Sequence, residues 1–183
     1  MRRLIRSALS LVAVAFVATA ATGQDDMAER LRNDPRVESL RPYGQRIPPR
    51  IRRDDDVQFA KALRFQLSGS PDFGHIGLVS PLLKPVKKGD TIVVAFWARA
   101  EKTEGGAPGR IGRVQLETTP NVRAIFEQAF EIGPEWKLYQ LSGVVDADYQ
   151  PRELNAALHL DVQKQVIDIG PVFIFDYGQK TAE

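Results

Sequence analysis

The sequence predicts an all-β fold, an antiparallel β-sandwich of jelly-roll type, and three observations carry that expectation. Thr91–Ala100 reads TIVVAFWARA, placing Ile92, Val94, Phe96, Ala98 and Ala100 on one face and Trp97 and Arg99 on the other. Such period-two alternation in β-branched and aromatic residues is a strand pattern. From Phe59 onward, short segments of this kind recur every roughly 8–14 residues with turn residues between them, the rhythm of a sandwich or jelly roll. No segment after Phe59 carries the apolar period of an amphipathic helix.

Taken in order, Leu63, Phe65 and Leu67 alternate with Arg64 and Gln66, and Ser68–Asp72 is rich in turn residues. Ile76–Leu83 predicts a strand broken by Pro81. Lys88-Gly89-Asp90 turns the chain into the Trp97 strand, and Gly105–Gly109 forms a loop. In Arg110–Thr118, Val114 and Leu116 oppose Arg113, Gln115 and Glu117. Ala124–Ile132 sets Phe126, Phe130 and Ile132 on one face, and Gly133-Pro134 separates it from the apolar stretch Trp136–Val145. In Leu154–Val162, Ala156, Leu158, Leu160 and Val162 alternate with Ala157, His159 and Asp161. Gln165–Tyr177 reads as a closing pair of apolar runs around Gly170-Pro171.

The chain before these strands divides in two. Arg2, Arg3 and Arg6, the apolar run Ala8–Ala21 and the small residues Ala18-Thr19-Ala20 read as a signal peptide over residues 1–23, which predicts a secreted or periplasmic protein. The run is shorter than the roughly 20 apolar residues of a membrane span, so an integral membrane protein is not expected. Residues 24–56, punctuated by Asp34-Pro35 and Pro48-Pro49, read as a partly disordered lead-in or linker that folding can spare. One β-sandwich domain is assigned to residues 57–179.

Composition narrows the chemistry. The 183 residues include no cysteine, which excludes thiol catalysis and thiolate metal sites. The net charge of +2 comes with no basic face interleaved with aromatics, so nucleic acid is not an expected partner. No metalloprotease, P-loop, dinucleotide or G-x-S-x-G motif is present. Glu117 and Asp161 are the residues available as the two carboxylates of a glycosidase, but binding accounts for the polar residues around them, and the protein reads as a non-enzyme.

Lys88-Gly89-Asp90 with Val93–Ala100, then Phe130-Glu131-Ile132-Gly133-Pro134-Glu135-Trp136-Lys137-Leu138-Tyr139, then Gln165–Val172, resemble in order and spacing the carbohydrate-binding modules of the four, nine and twenty-two group. The resemblance covers about residues 59–177. It implies a jelly roll that binds polysaccharide or oligosaccharide in a cleft on one sheet without cleaving it, a glycan-degrading enzyme as partner, and a structural calcium.

The expected ligand-binding residues are those facing away from the apolar sets: Trp97, Arg99, Gln115, Glu117, His159, Asp161 and Arg64, with His75 on an adjacent loop. Trp97 would stack on a sugar ring, and the planar polar groups would bond its hydroxyls. A protein partner using the same sheet face is the alternative reading, because a Trp–Arg pair also anchors protein interfaces. Asp168 and Asp176, flanking the closing strands, are the candidate calcium ligands.

Overall fold

The computed structural model describes residues 26–70 and 74–179. The signal-peptide assignment lies outside the described residues. After a helical turn at 26–30, ten strands follow: β1 (Arg41–Tyr43), β2 (Arg50–Arg53), β3 (Lys61–Ser68), β4 (Gly77–Pro81), β5 (Asp90–Thr103), β6 (Gly109–Thr118), β7 (Ala124–Ile132), β8 (Lys137–Val144), β9 (Leu154–His159) and β10 (Lys164–Gln179). They form two antiparallel five-stranded sheets. Sheet I has the order β1-β4-β9-β6-β7 and sheet II the order β2-β3-β10-β5-β8. The all-β sandwich expected from the alternation is what forms. No described helix is long and apolar enough to cross a membrane.

The alternation sorts the faces as the residue types require. Ile92, Val94, Phe96, Ala98 and Ala100 of β5 point inward with Leu63, Phe65 and Leu67 of β3. They meet Val114 and Leu116 of β6 and Leu154, Ala156 and Leu158 of β9 from the other sheet. Phe96 stacks on Tyr139 with ring centres 5.6 Å apart and takes the edge of Phe130 at 5.3 Å, in the offset and edge-on geometries that aromatic quadrupoles favour.

Two expectations about the chain change. The closing pair of runs is one strand, β10, whose register with β5 shifts between Ile169 and Val172. Gly170-Pro171 sits at the shift, as a residue without an N–H must in a sheet interior. The Val172 N–H turns instead to the carbonyl of Pro35 at 3.1 Å.

That contact belongs to the second change. From residue 26 onward, the segment read as a lead-in is part of the sandwich: β1 is an edge of sheet I and β2 an edge of sheet II. Val37 and Leu40 enter the core. The side chain of Asn33, 7% exposed, donates to the Val172 carbonyl and to Ser80 Oγ, both at 2.7 Å, and accepts from the Ile174 N–H at 2.8 Å. One amide thus stands in for a strand beside β10 and ties it to sheet I. A single buried side chain and strands of three and four residues leave no periodic trace, so composition alone gave the segment a linker's look.

Candidate functional site

The two outer faces divide the predicted ligand residues. Because paired residues of neighbouring strands point to the same face, register places each side chain. Sheet I carries the row Tyr43–Gly77–His159–Arg113 across β1, β4, β9 and β6. Beside it runs Arg41–Val79–Ala157–Gln115–Glu127, then Pro81–Asn155–Glu117–Ala124. Sheet II carries Arg50–Arg64–Asp168–Arg99 across β2, β3, β10 and β5. Trp97 lies on this second face. The single groove expected to hold Trp97 and Arg99 with Gln115, Glu117, His159 and Asp161 therefore does not form, since the sandwich separates the two groups. Alternation reports inward or outward, and two sheets have two outsides.

On sheet II the charged groups pair with one another, while Trp136 Nε1 and Thr91 Oγ1 are buried without a hydrogen-bond partner. Asp168 accepts from Arg64 Nε at 2.7 Å and from Arg99 Nε at 3.0 Å, and Arg99 reaches on to Asp54 at 2.7 Å. Arg64 also pairs with Glu101. Burial alone would raise the Asp168 carboxyl, but the hydrogen bonds and charges of the two arginines outweigh it and hold it below its ordinary value. The Arg99 guanidinium stands 4.9 Å from the ring centre of Trp136. A Cβ built on Gly170 would lie 2.7 Å from Val57, 2.9 Å from Trp97 and 3.6 Å from Trp136, so these three side chains close over the glycine. Trp97 is half-buried there.

The calcium ligands were expected on the same strand. Asp168 is committed to two guanidiniums, and Asp176 pairs with Arg32 at 2.9 Å. A hard cation needs several free oxygens converging on one point, and no cluster of three or more His, Asp or Glu suited to a metal occurs among the described residues. Asp168 and Asp176 do not fit a calcium ion.

Sheet I is different. Gln115, Glu117 and Ala157 face outward yet are 2%, 5% and 0% exposed, so the face is recessed. Its floor is small: Gly77 and Ala157 occupy adjacent rows, and Tyr43 lies over Gly77, where an added Cβ would come within 2.6 Å of the phenol oxygen. Tyr43 Oη sits 2.7 Å from His159 Nδ1. Burial first, then the negative charges of Glu117 and Asp161, push the phenol up, so it keeps its proton. The phenol and Nδ1 share one hydrogen bond, whose direction follows the ring tautomer. Burial and the charge of Arg113 push the imidazole below its ordinary value. Gln115 donates its amide to Glu117. Burial pushes the Glu117 carboxyl up, against that hydrogen bond and the pull of Arg113.

Two atoms are left over. Gln115 Oε1 and His159 Nε2 are buried without a hydrogen-bond partner. They belong to diagonal neighbours on adjacent strands, whose backbones lie about 7–8 Å apart. Of the remaining predicted residues, Asp161 is buried and accepts from the Gly74 N–H at 2.7 Å, shaping the loop before β4. His75 is exposed on that loop, whose backbone lies against Gly44. Arg113 pairs with Glu127 at 3.4 Å. Tyr43 was not among the predicted residues. Its segment reads Arg41-Pro42-Tyr43-Gly44, a tyrosine before a turn, and no alternation marks it.

Fold and topology define a class, the antiparallel β-sandwich of two five-stranded sheets, and solved carbohydrate-binding modules share this fold. Among solved structures the chain is similar to a module of family 4 (TM-score 0.56, 13% identity, covering 76% of this chain and 95% of that one). It is also similar to the N-terminal cellulose-binding domain of a β-1,4-glucanase from Cellulomonas fimi (0.54, 13%, 80% and 91%). The family-22 xylan-binding domain from Paenibacillus barcinonensis aligns at 0.51 and 11% identity over 84% and 94%. An arabinose-bound α-L-arabinofuranosidase aligns at 0.58 and 14% identity, but the chain spans only 25% of that protein's length. No family model and no curated protein matches the sequence.

Proposed function

We propose that this protein binds polysaccharide without cleaving it, and that the glycan lies on the outer face of sheet I. The observation that carries the reading is the pair of buried, unpartnered polar atoms, Gln115 Oε1 and His159 Nε2, on a recessed face. An unsatisfied buried polar atom costs about 1–3 kcal/mol, and a bound hydroxyl, which donates and accepts at once, removes that cost. The carbonyl acceptor on Gln115 and the ring nitrogen of His159, which a hydroxyl can meet in either tautomer, suit two hydroxyls of one sugar or of neighbouring sugars. Tyr43 adds an aromatic ring beside them, and Arg113 and Glu127 stand at the open side. Trp97 takes no part. The likeness in fold to cellulose- and xylan-binding domains supports the ligand class, and the basic, apolar N-terminus supports a role outside the cytoplasm. A glycan-degrading enzyme acting on the same polymer fits as partner.

Titration of a panel of soluble glucans and xylans by calorimetry, with matched affinity electrophoresis, tests the reading. Gln115→Ala and His159→Ala are each expected to weaken binding about tenfold, the loss of roughly one hydrogen bond, while Trp97→Ala binds as wild type. Loss of binding in Trp97→Ala alone would move the site to sheet II. A wild-type protein that binds no glycan but captures a protein through this face would establish the interaction-domain alternative.

A further inference from the structure

The edge of sheet II holds a feature that the polysaccharide face on sheet I does not use. A groove of about 640 Å³ runs alongside β2. Three of its lining residues are Arg50, Arg52 and Arg64, and none is acidic. Arg50 stands directly opposite Arg64 in the register of β2 and β3, an arrangement of like charges that destabilises an antiparallel pair. Arg64 is neutralised by Asp168 and Glu101. Arg50 and Arg52 are exposed, and among the described residues neither has an ion-pair partner. The chain therefore places two uncompensated guanidiniums against a third instead of relieving them with a glutamate or threonine.

The positive character continues. Gln66 borders this groove and also a second hollow of about 420 Å³, where Lys102 and Lys164 stand with one acid, Glu104. The two hollows form a track on the outer side of sheet II along which Arg50, Arg52, Lys102 and Lys164 stand with Glu104, Arg64 being held by its own two carboxylates. The groove wall formed by Pro48, Pro49 and Ile51 is apolar. An apolar wall beside forked donors matches a sugar ring that carries an anionic group: the C–H face rests on the wall, and a carboxylate or sulfate takes two parallel N–H bonds from a guanidinium.

We propose that this track is a second glycan site, selective for acidic polysaccharide chains, with Arg50 and Arg52 holding the anionic groups of successive sugars. The proposal rests on the glycan reading for its polymer class only; its residues lie on the other sheet, so each can fail alone. A uronate and a sulfate ester share the chemistry that the track recognises.

Binding is measured with polygalacturonate as the carboxylate probe, dextran sulfate as the sulfate probe, neutral xylan, and double-stranded DNA as a generic polyanion. The proteins are wild type, Arg50→Gln/Arg52→Gln and Gln115→Ala, at low and at physiological salt. At least one acidic glycan is expected to bind wild type, and the arm that binds names the anionic group. The double arginine variant should lose tenfold or more for that glycan, with a shallower salt dependence, an unchanged xylan affinity and a melting temperature no lower than wild type. Gln115→Ala should show the reverse pattern, weakening xylan and sparing the acidic chain. The proposal is overturned if wild type ignores both acidic glycans, if the double variant binds them unchanged, or if DNA of equal charge competes as well as they do. Xylan binding that survives those outcomes leaves the reading of sheet I standing.

Discussion

On the outer side of sheet II, Asp168 sits between Arg64 and Arg99, Arg99 reaches Asp54, and Trp97 closes over Gly170 with Val57 and Trp136. On the outer side of sheet I, Tyr43, His159, Gln115 and Glu117 bond to one another in pairs and still leave Gln115 Oε1 and His159 Nε2 with nothing. Both faces are polar rows on antiparallel strands, and both look alike in a sequence. They differ in closure. Asp168, Arg64 and Arg99 pair their charges among themselves and leave the Trp136 indole N–H and the Thr91 hydroxyl over, whereas sheet I leaves a carbonyl oxygen and an imidazole nitrogen as diagonal neighbours on one recessed face.

The comparison breaks first if Asp168 is not structural. Asp168→Asn leaves two half-buried guanidiniums without their carboxylate, and a loss of about 3–5 kcal/mol in chemical denaturation is expected, with xylan affinity unchanged. A variant as stable as wild type would mean that the sheet II network is as loosely held as a ligand site. Next in size is Asn33→Ala, which strips partners from the buried Val172 carbonyl and Ile174 N–H. A loss of roughly 2–4 kcal/mol is expected from two groups of this kind. An unchanged unfolding midpoint would return the segment to the linker that its composition suggests.

The smallest effect is the most diagnostic of sheet I. His159 is held neutral in the folded chain, below the ordinary value of 6.5. The unfolded chain then binds a proton that the folded chain refuses, so this contribution to stability is present above pH 6.5 and lost as pH falls through the folded value. Asp168 behaves likewise further down, its contribution fading only as pH falls below the ordinary 3.8. Glu117, pushed up by burial, has the opposite sign and regains stability as acid neutralises it. Comparison with His159→Gln cancels Glu117: the difference in melting temperature between the two proteins should change as pH falls below 6.5 and stay flat above it. A flat difference throughout would place His159 in open solvent.

How much of this was legible depended on pattern length. Strands β3, β5, β6, β7 and β9 could be read because each spans several alternations, β4 and β8 showed only as apolar stretches between turn residues, and β5 even named its own core face. β10 was visible as two runs because Gly170-Pro171 interrupts the pattern where the register shifts. β1 and β2 were invisible, being three and four residues long. Gln115, Glu117 and His159 were correctly read as outward-facing, but their separation from Trp97 and Arg99 depends on which strands become neighbours. That is decided by long-range pairing of β6 with β9 and of β5 with β10, about which local alternation is silent. Tyr43 needed both pieces of information and was missed.

Leu31 bridges to Phe175 and Arg32 bonds to Asp176, which brings the start of the described chain beside the finish of β10. Lys164 stands at the opposite end of that strand, next to Lys102 and Gln66. The sandwich thus has a mooring pole and a free pole. A tension applied between the two ends would first part the few bonds around Leu31 and Arg32, unzipping them one at a time before it loads a sheet.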